Sequence, residues 1–169
     1  MQAQKLFVTG PPRSGKSVLV MEVAEELGFR LGGISTPEIL EGGERKGFAI
    51  KDLKSGRKGI LASKALRSPA NVGSYGVNLA DLDSIGSEAL ENACVDKEVD
   101  LIVIDEIGKM ELFSKRFKEA VMSCLRSNKR VLAVLHRDYV KEFKRYGEVL
   151  NLTPENRAEV KKRLLDALR

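Results

Sequence analysis

Eight consecutive residues, Gly10-Pro11-Pro12-Arg13-Ser14-Gly15-Lys16-Ser17, match Gly-x-x-x-x-Gly-Lys-Ser/Thr in full. The match constrains the fold, because such a loop works only between a strand and a helix. Its backbone N–H groups must turn inward around phosphates, and the following helix must aim its positive dipole end at them. The flanks comply. Lys5 to Thr9 is short and largely apolar, and Ser17 to Leu27 spaces Leu19, Val20, Val23, Ala24 and Leu27 along one helical face that Gly28 closes. The whole loop, Gly10 to Ser17, is therefore read as a nucleotide-binding segment whose glycines permit close approach. Lys16 would reach the β- and γ-phosphates as a point charge, and the Ser17 hydroxyl would ligate Mg²⁺. Pro11, Pro12 and Arg13 fill variable positions, with Arg13 solvated or lying near a phosphate.

A loop of this kind needs an acid beside it. Leu101-Ile102-Val103-Ile104 is an unbroken apolar run, the mark of a strand buried on both faces, and it ends in Asp105-Glu106. Asp105 would hold the Mg²⁺ shell, and Glu106 would polarise a water for attack on the γ-phosphate. A carboxylate in that place favours hydrolysis over transfer, since a kinase that activated water would waste its nucleotide. Val131 to Leu135 is a further buried strand and runs into His136-Arg137. The carboxyl ends of strands in an open α/β sheet face the ligand crevice, so Arg137 is a candidate to stabilise the γ-phosphate. For His136 a structural hydrogen bond and a catalytic role stay open. Arg157 has the same two sides, a nucleotide contact or a surface ion pair, with the ion pair favoured.

The rest of the chain fills in an α/β pattern. Gly32 to Ser63 is punctuated by glycines around short extended runs such as Phe48 to Leu53, and predicts a β-hairpin or small meander extending one sheet edge. Ala80 to Ala93 and Phe113 to Leu125 have helical periodicity, and Val149 to Leu152 reads as another strand. The last helix is expected to start with Thr153 as its cap and Pro154 in its first position, and to bury Val160, Leu164, Leu165 and Leu168. Alternating buried strands and amphipathic helices predict an α/β fold in three layers, a mainly parallel sheet with helices on both faces.

Length and composition bound the remaining classes. The 169 residues suit one domain spanning 1–169. No apolar run approaches the roughly 20 residues of a membrane span, and Met1 to Lys5 is polar and leads straight into a predicted strand, so a cytoplasmic location without membrane attachment is expected. Cys94 and Cys124 stand singly in helical stretches beside only one histidine, which favours buried thiols over a disulfide and gives no zinc pattern. Net charge is +5, from 29 basic and 24 acidic residues, which suits a polyphosphate ligand. The signs alternate, as in Glu41 to Arg45 and Glu155 to Arg163, in the manner of a solvated mixed surface.

With the phosphate loop, the Asp-Glu pair and these strand ends in place, the chain resembles the small nucleoside-triphosphatase family that includes the cancer-related nucleoside-triphosphatase. The likeness spans nearly the whole length. It rests on Gly47-Phe48, on Val72-Gly73-Ser74-Tyr75-Gly76-Val77, on His136-Arg137, and on Leu152-Thr153 with Asn156-Arg157. Most diagnostic is Asp105-Glu106-Ile107-Gly108-Lys109-Met110-Glu111, which adds Ile107 and Gly108 to the expected nucleotide site. The resemblance implies a P-loop fold of the additional-strand, catalytic-glutamate kind. It also implies slow, Mg²⁺-dependent hydrolysis of several nucleoside triphosphates to diphosphates, with broad tolerance of the base. The chain departs from relatives at Arg13-Ser14 and at Leu135, and neither change removes a reacting group. A monomer is expected.

Two other functions compete. A small-molecule kinase could use the same loop if Gly32 to Ser63 formed an acceptor pocket. A nucleic-acid-associated ATPase is suggested by the basic stretches Lys141 to Arg145 and Lys161 to Arg163, though aromatic residues are only 5% and stacking platforms are sparse. A guanine-specific switch is excluded, because Asn128-Lys129 continues as Arg130-Val131 where Asn-Lys-x-Asp is required.

Overall fold

The computed structural model describes residues 3–169; Met1 and Gln2, the start of the polar opening, lie outside the described residues. In chain order, β1 (Lys5–Thr9) leads through the phosphate loop into α1 (Lys16–Leu27), followed by β2 (Leu31–Ser35). Five strands come next: β3 (Glu38–Glu41), β4 (Glu44–Asp52), β5 (Lys58–Ser63), β6 (Asn71–Val72) and β7 (Tyr75–Val77). A helical stretch then joins α2 (Leu79–Asp81), a π-helical segment (Leu82–Ser87) and α3 (Glu88–Val95). β8 (Leu101–Ile107) is followed by a 3-10 turn (Glu111–Phe113) and α4 (Lys115–Arg126). β9 (Arg130–Leu135), a 3-10 turn (Arg137–Tyr139), α5 (Val140–Phe143), a 3-10 turn (Lys144–Tyr146), β10 (Glu148–Asn151) and α6 (Arg157–Leu168) complete the chain.

One sheet runs in the order β10-β1-β9-β8-β2-β4-β5-β7-β6, with β3 paired to β4. The first five of these strands pair in parallel, and from β4 onward the ladders are antiparallel. The predicted hairpin is thus the beginning of a broader antiparallel wing, which β6 and β7 extend past Ser63. Its separation from the parallel half is only topological, since β4 joins β2 directly.

The parallel strands are apolar on both faces because each face has its own core. Leu6 and Val8, Leu101 and Val103, and Leu132 and Val134 pack with α1 and α6 through Leu19, Val23, Val160 and Leu164. The alternate residues Phe7, Ile102, Ile104, Val131 and Ala133 pack with Leu90, Phe117 and Phe143 on the other side. Period-two alternation therefore appears here as a choice between two oils, not between oil and water. At the junction of β2 with β8 the backbones come so close that a Cβ on Gly33 would lie 1.9 Å from the Val103 carbonyl oxygen.

Three element boundaries differ from the sequence reading. α6 starts at Arg157, and Thr153 does not cap it: the Thr153 N–H donates to Asn156 Oδ1 at 2.7 Å, and Asn156 Nδ2 donates to the Asn151 carbonyl at 2.7 Å. The Asn156 side chain satisfies the local backbone better in a turn over 154–156 than a helix begun at Pro154 would. The stretch expected to be helical from Phe113 is a 3-10 turn up to Phe113 and a helix from Lys115, because Ser114 Oγ accepts the Phe117 N–H at 2.9 Å and caps α4. In the stretch Ala80 to Ala93 the middle turns are π-helical, and Asp83 there accepts hydrogen bonds from Ser87 and from Ser114. Cys94 and Cys124 are free thiols, Cys124 buried and Cys94 partly so, but they face each other across α3 and α4 with Sγ atoms 2.8 Å apart.

Candidate active site

The phosphate loop is shaped before any ligand arrives. Gly15 has φ 86° and leads into α1, and Arg13 is held at φ 60°, a left-handed backbone that the loop's curvature imposes on a residue that does not favour it. The first turn of α1 contains no acidic side chain, so nothing on the helix neutralises its positive end. Two hydroxyls around the loop, Thr9 Oγ1 and Ser14 Oγ, are buried without a hydrogen-bond partner. A buried polar atom left unpaired is costly. Unpaired hydroxyls at the foot of a helix with an unneutralised positive end fit a cradle for an oxygen-rich anion.

Lys16 reaches over this cradle and donates to the Gly10 carbonyl at 2.7 Å, with the Pro11 carbonyl at 3.4 Å. Burial lowers its pKa, and the charge of Glu106 pulls it partly back. Ser17 Oγ donates to Asp105 Oδ1 at 3.0 Å, and Thr36 Oγ1 donates to the Asp105 carbonyl at 2.9 Å. Asp105 is thereby fixed by the first turn of α1 through its side chain and by the residue after β2 through its backbone. It is only 7% exposed, and burial pushes its carboxyl up to about 6 against the opposing Ser17 bond and Lys16 charge.

Glu106 is aimed by an irregularity in β8. Asp105 registers with Val134 and Ile107 with Leu135, so Glu106 is passed over by the ladder, and the Asp105–Glu106 peptide bond is cis. A residue released from pairing in this way lets two successive carboxylates share one rim. Burial, then the neighbouring Asp105 charge, raises the Glu106 pKa, and Lys16 opposes the shift.

These groups line one open cavity of about 900 Å³. Its loop wall presents Pro12, Arg13, Lys16 and Ser17, and its strand wall presents Asp105, Glu106 and Glu111. The third wall comes from the antiparallel wing, with Thr36, Arg45, Phe48 and Leu61. Arg45 is held there by stacking 5.0 Å from the Phe48 ring and by donating from Nε to the Tyr75 hydroxyl at 2.8 Å.

The other expected site residues fall differently. Ile107 turns into the core, and Gly108 serves as a gap: a Cβ there would lie 3.0 Å from Glu111 Oε1 and 3.1 Å from Glu106 Oε1. His136 lines the cavity, and its Nδ1 accepts the Asp138 N–H at 3.1 Å. Burial lowers its pKa, so at neutral pH it is an uncharged ring with its proton on Nε2. Arg137 is exposed beside the cavity without lining it, and its charge is felt at Lys16. Arg157 forms an ion pair with Glu22 of α1, as favoured from sequence. Two residues of the basic stretch of α6 are likewise committed: Lys161 lies 2.8 Å from Glu22 and 3.0 Å from Glu26, and Arg163 lies 2.5 Å from Glu148.

Glu111, Thr36 and the Arg45–Phe48 pair were not assigned roles from sequence. Glu111 carried one signal, a carboxylate at the close of the run from Asp105. The others reach the site only through strand pairing. Among the described residues no group of three histidine, cysteine, aspartate or glutamate side chains forms a metal cluster, and no helix is long and apolar enough to cross a membrane.

The sequence model of the NTPase family matches residues 5–165. Nucleoside-triphosphatase THEP1 of Methanocaldococcus jannaschii is 41% identical over 167 residues, covering 97% of this chain and 96% of that one. The protein of the same name from Methanosarcina barkeri is 47% identical over 161 residues, covering 90% of each. Among solved structures, THEP1 from the hyperthermophile Aquifex aeolicus superposes with a TM-score of 0.85 at 37% identity, covering 98% of this chain and 99% of that one. A human cancer-related nucleoside triphosphatase superposes with a TM-score of 0.82 at 33% identity, covering 99% and 98%.

Proposed function

Because this chain belongs to the NTPase family, we propose that it hydrolyses nucleoside 5′-triphosphates to the diphosphate and phosphate, with residues 1–169 acting as one domain. The observation that carries the assignment of roles is the convergence of Lys16, Ser17, Asp105 and Glu106 on one cavity. The backbone N–H groups of Arg13 to Ser17 grip the phosphate chain, Pro11 and Pro12 having none, and Lys16 exchanges the Gly10 carbonyl for the β- and γ-phosphate oxygens. Glu106 orients a water, whose oxygen bonds to the γ-phosphorus as the bridge to the β-phosphate breaks, and takes the water's proton. To Arg137, exposed beside the cavity, we assign the role of meeting charge that develops on the γ-phosphate.

The residues present fit a Mg²⁺ ion bound with the nucleotide. Ser17 and Asp105 already point at each other, and a Mg²⁺ carried by substrate phosphates needs only one or two protein ligands. When bound, Mg²⁺ neutralises charge on the β- and γ-oxygens. We place the protein in the cytoplasm as a monomer that needs no membrane or nucleic acid.

Glu106→Gln tests this scheme. The variant should bind triphosphate and release phosphate at least about a hundredfold more slowly, the scale of a lost general base; turnover at the wild-type rate would reject the role. A kinase is the second reading, favoured by the antiparallel wing that walls the cavity through Arg45 and Phe48. Phosphate release in the absence of any added acceptor decides for hydrolysis.

A further inference from the structure

The two cysteines stand at the end of the sheet opposite the phosphate cavity. Lys5, which opens β1, is felt at both sulfurs, whereas Thr9 closes the same strand at the phosphate loop. Cys94 lies in the last turn of α3 and Cys124 in the last turn of α4, and the packing of these helices brings their Sγ atoms to 2.8 Å. A disulfide bond is about 2.05 Å long, so bonding asks the sulfurs to close by less than about 1 Å. The surroundings hold them there. Cys124 Sγ also approaches the Leu90 carbonyl at 3.5 Å. Lys5 Nζ donates to the carbonyls of Ser127, at 2.8 Å, and of Lys129, both just past α4. Lys129 Nζ donates in turn to the carbonyls of Asp96 and Val99, just past α3. These bonds tie both helix ends to β1 and to each other, and parting the sulfurs would break them.

The two thiols differ in access. Cys94 is partly exposed and is followed by the exposed Val95, while Cys124 is buried. A hydrogen bond from the Cys124 S–H lowers the Cys94 pKa against the effect of burial and of Glu91, with help from Lys5 and Lys129. Access and thiolate character thus select the same sulfur as the first to react.

We propose that Cys94 and Cys124 form a reversible disulfide that clasps α3 to α4, closed by exchange with a small-molecule disulfide such as oxidised glutathione. The Cys94 thiolate attacks one sulfur of the oxidant, whose other sulfur leaves as a thiolate, and a mixed disulfide forms on Cys94. Cys124 then loses its proton to the departed thiolate and attacks Cys94 Sγ, expelling the second small thiolate. Two protein thiols are oxidised to one disulfide, and one external disulfide is reduced to two thiols. The loop closed in this way contains β8, whose end carries Asp105 and Glu106, so the clasp restrains the unfolded chain around the strand on which the site depends. The clasp does not depend on which residue orients water.

Incubating the folded chain with oxidised glutathione, then counting its thiols after denaturation and weighing the product, tests this. Wild type should lose both thiols, weigh less by two hydrogen atoms, run as a single chain on a non-reducing gel, and regain both thiols in dithiothreitol. Its Tm should exceed that of the reduced form by about 5–10 °C, the scale for closing a loop of this length in a domain of this size. Cys124→Ser should stop with one glutathione on Cys94, and Cys94→Ser should leave Cys124 unmodified until the chain unfolds. Two thiols that persist in wild type, a lasting mixed disulfide, a cross-link between two chains, or an oxidised form no more stable than the reduced one overturns the proposal. Wild type alone decides the matter if either variant fails to fold.

Discussion

Ser17 and Asp105 are 88 residues apart in the chain and share a 3.0 Å hydrogen bond that ties the first turn of α1 to the end of β8. The contact puts the two proposed Mg²⁺ partners in place before metal or nucleotide arrives. Binding then exchanges one polar contact for another and does not have to gather distant groups.

That relationship predicts the effect of Asp105→Asn. The amide is nearly isosteric and can still accept from Ser17, so the fold should survive while the metal loses a charged partner. The Mg²⁺ concentration for half-maximal phosphate release should rise by about 10–100-fold. A Mg²⁺ titration with an unshifted midpoint would place the metal elsewhere.

The buried acid at 111 makes a prediction about stability alone. Its folded pKa is raised well above the ordinary 4.5, so its favourable contribution is complete below 4.5 and is lost as pH rises through the folded value. Glu111→Gln has no such loss. The difference in Tm between Glu111→Gln and wild type, measured without nucleotide, should therefore open in favour of the variant as pH is raised from about 5 to about 9.

The opposite sign applies at Glu22. Hydrogen bonds from Arg157, then from Lys161, hold its carboxyl at about 2 against an ordinary 4.5. What it adds to the α1–α6 contact is present above 4.5 and lost as pH falls toward 2. The pair is solvent-accessible, at 39% and 42% exposure for Glu22 and Arg157, so screening keeps it weak. Arg157→Ala should leave kcat for phosphate release within about twofold and lower Tm slightly, with the Tm difference shrinking in high salt. A large loss of kcat would return Arg157 to the nucleotide site.

A fourth test concerns the sheet. Gly33 has φ 106° and sits against the Val103 backbone, where neither neighbour can move without opening the β2–β8 ladder. Gly33→Ala should cost more than about 3 kcal/mol in denaturant unfolding, far above the usual cost of adding one methyl.

How much of this was legible depended on how locally each feature is encoded. The phosphate loop and α1 were plain because the glycines, Lys16, Ser17 and the apolar face all lie within 19 residues of one another, from 10 to 28. Asp105 and Glu106 were plain because two acids in succession close the apolar run at its carboxyl end, the end that faces the ligand crevice in an open α/β sheet. The start of α6 was misplaced because Thr153 and Asn156 can both serve the same turn, and only the geometry shows that the Asn156 side chain does so. Arg45 and Phe48 gave no sign of belonging to the site, since they arrive through the pairing of β4 with β2 and β5. Cys94 and Cys124 became neighbours through the packing of α3 on α4, which a separation of 30 residues conceals.

β9 lies between β1 and β8, and Val134 on it reaches the cavity floor. Adjacent strands are about 4.8 Å apart, so this one interposed strand sets the backbones of β1 and β8 about 10 Å from each other, and Ser17 and Asp105 meet across it only through their side chains. The span that a polyphosphate, its metal and one water must fill is thus gauged by a strand whose cavity-facing side chain is only a hydrocarbon. Reach and reactivity are governed by separate parts of the chain, and bulk at Val134 could narrow the one without touching the other.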